Sequence, residues 1–218
     1  MKIDIRFKQN FEKTKETEKL IQHFGLDNIK ENIIVENFNF PYTNHKIYYF
    51  CGYSGSGKSS IIREIFKQLD ERDKDDYNVT YIEKWQELDI PNKPLVEFFP
   101  EVPIEDRLSI MAKCGLGEAW KFISYYNDLS DGEKFRFILY YQIMTLAKSS
   151  ATHKVLIFDE FCATLDRVTA KVIANNISKI RDKTGIGFIL ASAHDDLTQY
   201  IHADYNYFKE FTLKVQRK

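Results

Sequence analysis

The chain has 218 residues, and at roughly 150 residues per domain this predicts one compact unit with room for an inserted subdomain. Apolar residues make up 44% and charged residues 29%, ordinary soluble usage that excludes disordered and collagen-like classes. Thirty-one Lys and Arg stand against 32 Asp and Glu, so the formal charge of −1 supplies no general attraction to nucleic acid or to an anionic membrane.

Ile3, Ile5 and Phe7 alternate with polar residues as in a half-buried strand. The stretch from Phe11 to Phe24 is charge-rich, with Leu20, Ile21 and Phe24 at helical spacing, and Val35, Phe38 and Phe40 suggest a second strand before Pro41. The start is therefore expected to be antiparallel or mixed. Lys46 to Cys51 is an aromatic, apolar run that reads as a buried strand ending in glycines. From there the pattern alternates: helix Ser59 to Leu69, strand Val79 to Ile82, strand Val155 to Phe158, helix Asp166 to Lys183, strand Gly187 to Ala191 and helix Asp195 to Ile201. Such alternation predicts an α/β fold with a mainly parallel sheet covered on both faces.

Between these parts Pro91, Pro94, Pro100 and Pro103 punctuate the chain, and Ile104 to Cys114 and Glu118 to Tyr125 read as helices of a short insertion. Pro103 suits a helix start, with Glu105 and Asp106 near its positive end, and Gly115 is placed to stop it. The longest nearly apolar run, Phe137 to Ala147, contains Gln142 and is shorter than the roughly 20 residues a spanning helix needs, so no membrane insertion by this chain is expected. Cys51, Cys114 and Cys162 have no CxxC or Cys/His pairing, which predicts neither a disulfide framework nor a zinc site. With the polar start Met1-Lys2-Ile3-Asp4, a reducing, cytoplasmic setting is expected.

Three segments carry chemistry. Gly52-Tyr53-Ser54-Gly55-Ser56-Gly57-Lys58-Ser59 fits GxxxxGK[ST] between a buried strand and a helix. Its glycines allow backbone N–H groups to converge on phosphate oxygens, Lys58 is expected to face solvent and reach the β and γ phosphates, and the Ser59 hydroxyl to ligate Mg²⁺. A Gly/Ser turn would match the same letters. Val155 to Phe158 leads into Asp159 and Glu160, which the strand period sends to different faces. Asp159 can hold the cation through water and Glu160 can accept a proton from water attacking a phosphate, where the plain alternative is two solvated acids. Ser130-Asp131-Gly132-Glu133 is a capping box for helix Phe135 to Ala147, and a capped, glycine-bearing helix start also exposes N–H donors to a phosphate.

Taken together, the phosphate loop (Walker A), Leu129 to Glu133 (LSDGE), Val155 to Glu160 (Walker B), Ala163-Thr164-Leu165-Asp166 and His194 resemble the ordered motifs of an ABC-class ATPase. The likeness covers about residues 30 to 210 and is closest in kind to small stand-alone, non-transporter members from bacteria and their viruses. It implies a P-loop fold with a nucleotide-binding core at 1–86 and 135–218 and a helical subdomain at 87–134. It further implies ATP and Mg²⁺ as cofactors, and a head-to-tail homodimer with each ATP between one copy's Walker motifs and the other's LSDGE segment. Residue by residue, Gly52 to Ser60, with Ser60 closing the loop, would hold the phosphates. Ser59, Asp159 and Gln86 would hold the metal. Glu160, His194 and Lys58 would carry catalysis, with His194 orienting the γ-phosphate and water. Ser130 and Gly132 would contact the partner's ATP, and Asp166 would communicate across the interface.

Asp131 stands where the signature of that family has glycine, so a carboxylate near a triphosphate is expected to slow turnover. Phe24 is expected to be a core residue, with stacking on adenine as the alternative. The implied activity is ATP hydrolysis that drives a protein or nucleic-acid partner, the alternative being the ATP-binding subunit of a transporter. Asn92-Lys93-Pro94-Leu95 lacks the aspartate of a guanine-reading NKxD, which disfavours a GTPase.

Overall fold

The computed structural model describes residues 1–7, 12–25 and 32–217. Phe11, with which the expected N-terminal helical stretch begins, lies outside the described residues. Among the described residues the strands are β1 (Lys2–Phe7), β2 (Asn32–Asn39), β3 (Ile47–Gly52), β4 (Tyr77–Ile82), β5 (His153–Phe158), β6 (Gly187–Ala191), β7 (Tyr205–Lys209) and β8 (Val215–Arg217). The helices are α1 (Lys15–Phe24), α2 (Lys58–Asp70), α3 (Ile104–Lys113), α4 (Ala119–Phe122), α5 (Asp131–Lys148) and α6 (Arg167–Thr184).

One sheet runs β4-β5-β6-β3-β7-β8, parallel throughout except for β8, which returns antiparallel to β7. β1 and β2 form a separate antiparallel pair, as the alternation at the N-terminus predicts. β3 is buried along its whole length because both of its faces are covered. Tyr48 and Phe50 point to one side, where they meet Ile61, Ile62, Ile65 and Leu69 of α2 and Ile3, Ile5 and Val35 of the small sheet. Ile47, Tyr49 and Cys51 point to the other, into a core built with Phe135, Ile138 and Leu139 of α5 and Ile173 and Ile177 of α6. The strand period of two thus sorts one apolar run between two cores.

Two expectations are corrected, and two strands are new. The helix expected from Glu118 to Tyr125 closes at Phe122, after which Leu95 N donates to Ser124 O at 3.0 Å and draws the chain away as a loop. The helix expected over Asp195 to Ile201 is a single 3₁₀ turn, Asp195–Leu197. The strands β7 and β8 have no counterpart in the sequence-based expectations.

Candidate functional site

The carboxyl ends of β3, β5 and β6 open on one side of the sheet, where ligands of open α/β folds bind. There Ile34, Ser54, Gly55, Gly57, Lys58, Ser59, Ser60, Asp159, Glu160, Ser192 and Ala193 line a cleft of about 280 Å³. The phosphate loop owes its course to two backbones that only glycine tolerates. Gly52 has φ 139 and lies against the Lys209 carbonyl of β7, where a Cβ would collide. Gly57 has φ 98 and packs on the Ile34 side chain of β2. Gly57 is also the N-cap of α2 and brings no side chain to that helix end, so the first-turn N–H donors have no side-chain cap.

Lys58 is 8% exposed, not the solvent-facing side chain expected from the sequence. Its ammonium donates to the carbonyls of Gly52 at 2.8 Å and Tyr53 at 2.7 Å, so it lies across the inside of the loop. Burial pulls its pKa down, and the neighbouring Asp159, Cys51 and Glu160 push it back up. Ser56 Oγ, in the same loop, is buried without a hydrogen-bond partner.

Asp159 is buried and Glu160 exposed, both just past the end of β5. Asp159 N donates to Ile82 O of β4 at 2.9 Å, and its Oδ1 accepts the Glu160 N–H at 2.9 Å. Glu160 sits at φ 50, a sparsely populated conformation for a side-chain-bearing residue, and this turn directs it out of the strand. Just past the end of β6, buried Ser192 and exposed Ala193 line the cleft. His194 follows, half-buried, its N–H on Ser192 Oγ at 3.2 Å and its carbonyl accepting from the buried Tyr49 hydroxyl.

Ser130, Gly132 and Asp166 are outside this cleft and adjoin one another instead. Glu133 Oε2 accepts from Ser130 N at 2.9 Å and Ser130 Oγ at 2.8 Å, fixing the start of α5. A Cβ on Gly132 would meet Leu165 Cδ2 at 3.3 Å, one residue before Asp166, which caps α6 by accepting from Val168 N and Thr169 N. Gln86 is exposed on the turn Trp85–Glu87 and does not line the cleft; its neighbour Trp85 takes the buried position. Phe24 ends α1 largely exposed and edge-on to His23, which removes its core reading.

Three residues that line the cleft were missed from the sequence. Ile34 was missed because nothing local marks the residue that covers Gly57, and Ser192 and Ala193 because the expected strand stops just before them.

Among the described residues no group of three or more His, Cys, Asp and Glu could hold a metal ion unaided. Ser59 and Asp159 beside an open helix N-terminus and a lysine fit a cation that takes most of its oxygens from phosphates and water, as Mg²⁺ does.

No protein-family model and no curated protein matches the sequence. Among solved structures the chain resembles the dimeric structure of MJ0796, a bacterial ABC transporter cassette. The TM-score is 0.58 at 13% identity over 87% of this chain and 93% of that one. It also resembles a post-hydrolysis dimer of the ATP-binding cassette MJ0796 bound to ADP and Pi, with TM-score 0.62 at 14% identity over 99% and 96% of the two chains. The chain has the fold of an ABC-class P-loop ATPase.

Proposed function

We propose that this chain binds and hydrolyses ATP with Mg²⁺, pairing head to tail with a second copy and driving a conformational change in a protein or nucleic-acid partner. The observation that carries the reading is the meeting of Lys58 and Ser59 with Asp159 and Glu160 in one cleft at the ends of β3 and β5. The loop N–H groups and the start of α2 favour a triphosphate through their convergent positive potential. Lys58 would move from the Gly52 and Tyr53 carbonyls onto phosphate oxygen, exchanging two neutral acceptors for charged ones. Ser59 and Asp159 would hold Mg²⁺, which when bound offsets the charge that builds on the phosphoryl oxygens. Glu160 would take the proton of the attacking water, for which its exposed position at the cleft wall suits it, and His194 would orient that water from the end of β6.

The placement of Ser130, Gly132 and Asp166 together, away from the cleft of their own chain, supports a composite site completed by a second copy. Both solved neighbours are described as dimeric. The description of one as a transporter cassette favours a second reading, an ATP-binding subunit working with a separate membrane chain. Among the described residues no helix is long and apolar enough to cross a membrane. Against that reading stands the small helical insertion, in which α3 has 10 residues and α4 only 4.

Calorimetry with ATP and Mg²⁺, paired with a phosphate-release assay, tests the reading. Lys58→Ala is expected to lose ATP binding while keeping its circular dichroism. Glu160→Gln is expected to keep binding and to lose about 10²-fold or more in turnover. Undiminished ATP affinity in Lys58→Ala would sink the phosphate-loop assignment, and unchanged turnover in Glu160→Gln would remove Glu160 as the proton acceptor.

A further inference from the structure

Two loops leave the cleft, residues 159–166 between β5 and α6, and residues 192–196 after β6. They are fastened twice, through residues within or immediately beside them. Phe161 N donates to Ala191 O at 2.7 Å. Beyond this backbone bond, Arg167 grips Asp196 with two prongs, Nε to Oδ2 at 3.2 Å and Nη2 to Oδ1. Arg167 follows Asp166 by one residue, and Asp196 follows His194 by two. The third guanidinium nitrogen, Nη1, is buried without a hydrogen-bond partner, so the group is committed to Asp196. The Asp196 carboxyl lies below its ordinary pKa range chiefly through Arg167, with smaller contributions from Lys171 and His194. Among the described residues, the hydrogen bonds that hold His194 go to its backbone alone, through Ser192 and Tyr49.

We propose that Arg167 and Asp196 form a positioning latch that makes the His194 segment and the Asp166 segment move as one body. The roles of His194 and Asp166 rest on the proposed function; the latch itself rests on the geometry. A planar guanidinium bound through two nitrogens fixes direction as well as distance, which a lysine cannot do. The side chains are 37% and 39% exposed, so as an ion pair it adds little to global stability. Its effect is on geometry: a second copy pressing on the Asp166 segment displaces His194, and a displacement of His194 is felt at Asp166.

The test uses Arg167→Gln, Arg167→Lys, Asp196→Asn and the double variant Arg167→Gln/Asp196→Asn, with ATP turnover and amide hydrogen exchange as readouts. Each single variant is expected to lower kcat about tenfold with KM for ATP and melting temperature unchanged. The double variant should be no worse than either single, because both remove the same link. Arg167→Lys should recover little of the loss. Exchange should accelerate in both 163–168 and 193–198 whichever partner is changed. Wild-type kcat in either single variant, losses that multiply in the double, or exchange confined to the mutated segment each overturn the latch. If Arg167→Gln fails to fold, Asp196→Asn carries the same comparison. If the wild-type chain hydrolyses no ATP, the proposed function fails, and the exchange pattern still decides the latch.

Discussion

Gly52 closes β3 at φ 139 with the Lys209 carbonyl where a Cβ would go, so two independent penalties meet at one residue. Gly52→Ala is expected to lower stability by about 3 kcal/mol or more, read as the urea-unfolding midpoint, since neither the backbone torsion nor the β7 strand can yield cheaply. A midpoint equal to wild type would mean that β7 stands further from the loop. The residues of Gly52 to Ser60 and the Asp159-Glu160 pair were legible in the sequence because each belongs to a contiguous strand-and-turn unit whose chemistry is set locally. The burial of Lys58 was not, because it depends on how the loop folds back over its own carbonyls. Gln86 failed for a related reason. Its turn is oriented by Trp85, which packs edge-on against Phe135 of α5 at 6.1 Å, and no local spacing announces that contact.

The start of α5 shows the same division between near and distant neighbours. Its capping box was legible because Ser130 and Glu133 are three residues apart. The ion pair of Glu133 with Lys121 of α4 was not, although it binds α4 to the start of α5 and leaves both side chains mostly buried. Burial alone would raise the Glu133 pKa, but Lys121 and the two Ser130 donors outweigh it and bring it down to about 2. A carboxyl depressed on folding contributes stability above its unfolded pKa and loses it as pH falls toward the folded value. Glu133→Gln is therefore expected to cost about 1–3 kcal/mol at pH 7 and much less near pH 3, measured by chemical denaturation at both. A pH-independent difference would assign the cost to packing and not to charge. The strands β7 and β8 were missed although Tyr205 and Tyr207 alternate with Asn206; Phe208 breaks the period because β7 is covered on both faces. The helices expected at Glu118 and Asp195 shortened because tertiary hydrogen bonding and turn formation overrode helical spacing.

For the whole molecule, the separation of the cleft from Ser130, Gly132 and Asp166 yields a prediction about assembly. With ATP and Mg²⁺, Glu160→Gln is expected to accumulate as a dimer, seen by size exclusion with light scattering. Adding Ser130→Arg, which overfills the facing half of each site, should return it to monomers. A Glu160→Gln chain that stays monomeric at saturating ATP, or whose dimer ignores the Ser130 change, would point to a missing partner subunit. The sheet order has a consequence for synthesis as well. β3 carries the phosphate loop near the start of the chain, yet its two neighbours are β6 and β7, whose pairings with it span well over a hundred residues. On a ribosome the loop would therefore emerge long before either flanking strand exists, and the cleft cannot form until residue 209 has cleared the exit tunnel. Nascent chains halted before β6 should hold no nucleotide and expose the apolar run of β3 to chaperones, which makes the arrival of β6 and β7 the event that switches this site on.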